Sequence, residues 1–180
     1  MALVPPYRPS SAPFIVTAEL PPDIFAWADG LRRAHFPPER NVLSAHVTLF
    51  HSFAPSLREE LLRTLGDFAG EFAAPDAVVE GLMNLGKGTA LAIRSPGMLA
   101  IREQIAERFQ GALTKQDQHM PRLHITVQNK VSVDDARRLQ AELDGYPARA
   151  FRFTGLGLHL YMGPYWDPLS TWSFRGKERA

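Results

Sequence analysis

Two short stretches carry residue types that could do chemistry together: His46-Val47-Thr48-Leu49 and His124-Ile125-Thr126-Val127. In each, a histidine is followed two residues on by a threonine, with aliphatic residues between and after. Side chains alternate faces along a strand, so His46 and Thr48 fall on one face and Val47 and Leu49 on the other. By the same alternation His124, Thr126, Gln128 and Lys130 share a face opposite Ile125 and Val127. The aliphatic faces call for burial, which leaves the two His/Thr faces to meet in a cleft. Two imidazoles facing one another suit in-line displacement at phosphorus. A neutral one takes a proton from the attacking hydroxyl or water, and a protonated one gives a proton to the departing oxygen. An unperturbed pKa near 6.5 lets both states coexist around neutrality, and such proton transfer is worth about 10² to 10⁴ in rate per group. The threonine hydroxyls would donate to the non-bridging phosphate oxygens. The scheme requires no metal and no cofactor.

Secondary candidates lie near these motifs. Arg122 shares the His124 face, as Lys130 does, and either could neutralise phosphate or be merely solvated. In the stretch from Leu158 to Trp166, His159 and Tyr161 share a face, and Tyr165 and Trp166 follow a Gly-Pro turn. Tyr161 and Trp166 could stack on a base or serve only lobe packing. His51 is expected to alternate away from His46, His35 sits near a helix end, and Lys87 reads as a hairpin tip. His119, in a loop beside the second motif, is left open.

The elements that must position these residues read as two similar halves. Pro13 to Leu20 is an apolar, β-rich run, followed by a helical pattern after Pro21 and Pro22 with Ile24, Trp27, Ala28 and Leu31 at helical spacing. The His46 strand comes next, then a helix with Ser56 and Glu59 in capping-box spacing. Two strands joined at Gly86-Lys87-Gly88 close the first half. After Pro96 the grammar repeats: a helix with Met98, Ile101, Ile105, Phe109 and Ala112 on one face, and the His124 strand. A second capping spacing at Ser132 and Asp135, a long strand and a short final strand near Thr171 to Gly176 complete it. Landmarks recur with nearly one period: His46 to His124 is 78 residues, Gly81-Leu82 to Gly155-Leu156 is 74, and Pro21 to Pro96 is 75. The expectation is one bilobal domain over residues 1–180, with approximate repeats at 13–86 and 88–175 and an N-terminal extension at 1–12. Its class is α+β, with two pseudo-symmetric lobes of mainly antiparallel sheet, helices on the outer faces and a central cleft holding both motifs.

At this point the chain resembles a known family. The pair of motifs is similar to the two H-X-T-X signatures of the two-histidine phosphoesterase superfamily, in particular its 2'-5' RNA ligase and 2',3'-cyclic phosphodiesterase branch. The likeness spans roughly residues 13 to 175, because the order of strands and helices fits as well. Many members place proline before the motif histidine, where this chain has Ala45 and Leu123. The resemblance implies that His46 and His124 are the catalytic pair and that Thr48 and Thr126 hold phosphate. It implies a metal-independent phosphoesterase for 2',3'-cyclic phosphate ends of RNA or small cyclic nucleotides, and possible 2'-5' RNA ligation. Which histidine is the base stays open.

Composition narrows the alternatives. A net charge of +1 excludes a strongly basic nucleic-acid coat as the main binding device. The absence of cysteine excludes thiolate nucleophiles and Cys-rich zinc sites. Prolines among the first fourteen residues interrupt any signal-peptide core, and no apolar run approaches a membrane span. A cytoplasmic protein is expected, with no membrane association and no obligate protein partner. One rival is a non-catalytic module of the same fold that binds a nucleotide or RNA end. Another is a metal hydrolase using His46, His51 and an acidic residue, which the expected opposite faces of these histidines disfavour.

Overall fold

The computed structural model describes residues 11–178, so most of the expected extension at 1–12 lies outside the described residues. Eight strands and four helices follow one another as β1 (Phe14–Glu19), α1 (Pro22–His35), β2 (Val47–Phe53), α2 (Arg58–Glu71), β3 (Asp76–Asn84), β4 (Thr89–Arg94), α3 (Pro96–Arg108), β5 (His124–Gln128), α4 (Val133–Leu143), β6 (Arg149–Arg152), β7 (Gly155–Tyr161) and β8 (Trp166–Ser173). The strands form two antiparallel four-stranded sheets, ordered β2-β1-β7-β8 and β5-β4-β3-β6. This is the expected α+β architecture.

The two orders match term by term, since β1 and β4, β2 and β5, and β7 and β3 hold equivalent places in the sequence halves. The sheets do not follow those halves, however. Each takes its third strand from the other half: β7 pairs with β1, and β3 with β4. Residues from both sheets and all four helices join one core, including Phe14, Leu49, Phe53, Leu91, Ile125, Met98 and Leu139. Helix α2 lies against β7 and β8, α4 against β3 and β4, α3 against β3, and α1 against β5.

Local chemistry accounts for most boundaries. Pro22 and Pro96 open α1 and α3, where the absent N–H would have no helical partner anyway. Ser95, unforeseen as a cap, accepts a hydrogen bond from the Met98 N–H at 3.3 Å. Ser132 caps α4 as expected, accepting from the Asp135 N–H at 3.0 Å. The expected Ser56–Glu59 box does not form. Pro55 starts a 3-10 turn over Pro55–Leu57, so Ser56 lies inside a turn and Leu57 becomes the uncapped start of α2. Helix α3 ends at Arg108, which leaves Ala112 exposed beyond the apolar face it was assigned to. Strand β8 begins at Trp166, well before the expected short strand; Pro168 is tolerated because β8 is an edge strand and the register slips beside it.

For function, the decisive feature is where the outer strands end up. β2 and β5 are edge strands of different sheets, and they contact one another. Each carries one of the two motifs.

Candidate active site

Burial follows the expected alternation through both motifs. Val47, Leu49, Ile125 and Val127 are fully buried, while His46, Thr48, His124 and Thr126 are half-buried. His46 stands one residue before β2 and His124 is the first residue of β5. The two rings are held alike. His46 Nδ1 lies 2.7 Å from the Ser44 carbonyl oxygen, and His124 Nδ1 lies 2.6 Å from that of Arg122. A carbonyl oxygen only accepts, so Nδ1 carries the hydrogen in both, and Nε2 is the atom left for chemistry. Each ring is thus locked, in one tautomer, by the backbone two residues upstream.

Two cavities adjoin the motifs. One, of about 260 Å³, is lined by His46, His159, Glu19, Phe25, Tyr165 and Trp166. The other, of about 290 Å³, is lined by Thr48, His51, His119, Arg122 and His124 among others. The threonine of the first motif therefore meets the histidine of the second. The His46 ring packs on Trp166, with centroids 4.6 Å apart, and Trp166 also touches His159 at 5.7 Å.

His46 is held neutral. Its pKa falls to about 4, chiefly because burial strips water from the imidazolium. The Ser44 carbonyl works the other way, and charge on Arg32, His159 and His124 opposes protonation further. Beside His46, the buried Thr17 hydroxyl donates to Glu19 Oε1 at 3.1 Å, leaving its oxygen to accept from His159 Nε2 at 2.9 Å. Burial raises the Glu19 carboxyl, partly offset by that Thr17 bond, and lowers His159. Gly157 makes room for the group: a Cβ there would collide with Glu19, Thr17 and His159.

One buried guanidinium ties the two motifs together. Arg32 of α1 donates from Nε to the Leu43 carbonyl and Asn41 Oδ1, both at 2.8 Å, and from NH1 to the Thr126 carbonyl at 3.0 Å. Arg102 of α3 does the reciprocal work, donating to the Leu49 carbonyl of β2 at 3.2 Å and to the Asp117 carbonyl. Each helix thus grips the motif strand of the other half. Nothing in the local sequence marks either arginine, because all but one of their partners, Asn41, are main-chain carbonyls, and those of the motif strands lie 53 and 94 residues away.

Four residues singled out in the sequence are placed otherwise than expected: Lys130, Gln128, Tyr161 and His51. Lys130 and Gln128 leave the His124 face, because the register slips between Ala90↔Thr126 and Thr89↔Gln128. Gln128 turns inward to accept from Thr89 at 3.0 Å, and Lys130, at φ 60°, lines neither cavity. Tyr161 ends β7 exposed and lines neither cavity; Tyr165, after the turn, is the tyrosine that does. His51 does not alternate away. β2 carries one extra residue between Thr17↔Thr48 and Val16↔Phe50, and another before Phe14↔Phe53. Leu49 and Phe50 are consequently both buried, and His51 returns to the Thr48 cavity. Trp166 lines the cavity of His46, and Arg122 that of His124.

Two layers of antiparallel sheet, with a backbone-locked histidine at the edge strand of each, define a two-lobed α+β fold. The sequence pattern of the 2'-5' RNA ligase superfamily matches residues 20–163, and the chain belongs to that superfamily. No curated protein matches it significantly. Among solved structures, TT0787 of Thermus thermophilus is similar at TM-score 0.63 and 16% identity, over 92% of this chain and 100% of that one. E. coli LigT complexed with 3'-AMP is similar at TM-score 0.57 and 18% identity, over 92% and 99%. These likenesses concern the fold.

Proposed function

We propose that this chain is a phosphoesterase that opens 2',3'-cyclic phosphate ends of RNA, or small cyclic nucleotides, by acid–base catalysis between His46 and His124. The observation that carries the reading is the identical locking of both imidazoles, which leaves Nε2 of each free on edge strands that contact one another. His46 is the base: being neutral at pH 7, it can take the proton of the attacking water. An anionic phosphate in the cleft would move its pKa back towards neutrality, since opposite charge favours the imidazolium. His124 is the acid, protonating the departing ribose oxygen. Thr48 and Thr126 donate to the non-bridging oxygens, and Arg122 balances their charge. Trp166, held against His46, offers a ring face to the base of the substrate. With an RNA 5'-hydroxyl as nucleophile, the same groups would make a 2'-5' phosphodiester. LigT, solved with 3'-AMP, NADP+ and ATP, supports a nucleotide as ligand. The matching strand orders support reading 13–86 and 88–175 as two copies of one unit in a single bilobal domain.

The test is turnover of 2',3'-cyclic nucleotides and of oligonucleotides ending in 2',3'-cyclic phosphate, in chelator, by wild type, His46→Ala and His124→Ala. Each single variant is expected to lose at least about 10²-fold in kcat. Full activity in either one sinks the paired mechanism. Tight binding without turnover by the wild type would instead favour a binding module.

A further inference from the structure

We propose that His51, oriented by Asp117, is a second anion-binding group, taking the phosphate next along the strand from the reacting one. The chain would then prefer the end of an oligonucleotide to a mononucleotide. This deepens the reading above and rests on it for the position of the reacting phosphate.

The geometry is a built device rather than a surface accident. Asp117 is only 1% exposed. Its two oxygens receive the His51 N–H at 3.0 and 2.9 Å and the Ser52 N–H at 3.0 Å, and Oδ1 also takes His51 Nδ1 at 3.1 Å. Burial works against this carboxylate, but the bonds from the His51 ring and the two N–H groups hold its pKa below the ordinary value. The two backbone donors would suffice to tie the loop to β2. The ring bond adds something else: it fixes the imidazole and points Nε2 away from Asp117. Arg102 braces both sides of the arrangement through the Leu49 and Asp117 carbonyls, with its guanidinium 4.2 Å from the Phe50 ring centroid. The register slip between Thr48 and Phe50 is what brings His51 to this position.

The cavity it enters already holds Thr48 and His124, with Arg122 and His119 at its margin. Asp117 is the one carboxylate among its described lining residues, and it is turned to His51. The charged and titratable groups around His51 are therefore Asp117, Arg102, Arg122, His119 and His124. The imidazolium form of His51 carries a proton on each ring nitrogen, so Nδ1 can serve Asp117 while Nε2 serves a phosphate oxygen. His51 stands three residues beyond Thr48, roughly 10 Å along an extended strand and less across a bulge. That places it past the reacting phosphate and suits it to the following one.

The test measures binding without turnover, in chelator at pH 6. The probes are a labelled single-stranded RNA trimer with a 3'-phosphate and a 3'-mononucleotide. Wild type is expected to bind the trimer more tightly. His51→Ala should lose about tenfold on the trimer and less than twofold on the mononucleotide, and its salt slope should fall by roughly 0.7, the contribution of one single-strand phosphate contact. His51→Lys should restore affinity and slope. Should His51→Ala not fold, His51→Gln against His51→Lys gives the same comparison. Equal losses on both probes, an unchanged salt slope, or lower thermal stability with unchanged binding would each overturn the proposal. So would a wild type without preference for the trimer. A wild type that binds in the expected pattern but opens no cyclic phosphate would sink the catalytic reading alone.

Discussion

His46 shows how a single side chain takes its role from its surroundings. Packed on Trp166 and short of water, with Arg32, His159 and His124 nearby, it resists protonation that a free histidine would accept. This has a signature in stability. Its folded pKa, about 4, lies below the unfolded value near 6.5, so between these values the unfolded chain binds the extra proton. Stability contributed by keeping His46 neutral is complete above about pH 6.5. It declines as pH falls to about 4 and is flat below that, a total of up to about 3 kcal/mol. Glu19, whose carboxyl is raised, contributes with the opposite sign, so the proper readout is the difference between wild type and His46→Gln in urea denaturation across pH 4 to 7. A constant difference would show that His46 titrates normally.

Among the elements, α1 has a task beyond covering a sheet. Through Arg32 it sets the chain just before Ser44 and His46 and, at the same time, the strand bearing His124 and Thr126. Arg32→Met should leave the Leu43 and Thr126 carbonyls without their charged donor, lowering stability by about 2–4 kcal/mol. It should reduce kcat more than it raises KM, because misplacing one motif by about 1 Å can cost on the order of 10²-fold. It also removes a positive charge facing His46, so the acid limb of the pH–rate profile should move upward. Arg32→Lys should not rescue, since one ammonium cannot reproduce the guanidinium fork. A variant with lower stability but unaltered kcat and pH limb would reduce Arg32 to a structural tie.

For the whole molecule, the exchange of third strands means that neither sequence half owns a complete sheet. A fragment ending at Gly86 would strip β1 of β7 and β3 of both β4 and β6. Residues 1–86 alone are expected to show no cooperative unfolding transition by circular dichroism, whereas the complete chain unfolds in one, as a single core requires. Independent folding of that fragment would mean that the lobes are separable. The same exchange explains why α1 and α3 reach the motif strand of the opposite half.

The order of elements up to α4, the paired motifs and the burial of Val47, Leu49, Ile125 and Val127 were legible in the sequence, because strand alternation and helical spacing are local rules that short stretches of chain obey by themselves, whereas the one long strand expected after α4 is β6 and β7, in different sheets. The same rules misplaced Lys130, Gln128 and His51. A register slip is decided by the neighbouring strand, and one extra residue reverses every assignment beyond it. The contact of β2 with β5, the Arg32 clamp, the Asp117–His51 pair and the Glu19–Thr17–His159 group all join residues far apart in the chain or bind main-chain carbonyls that look alike in any sequence. Local spacing thus identified the two histidines; only the packed sheets decided which side chains and charges surround them.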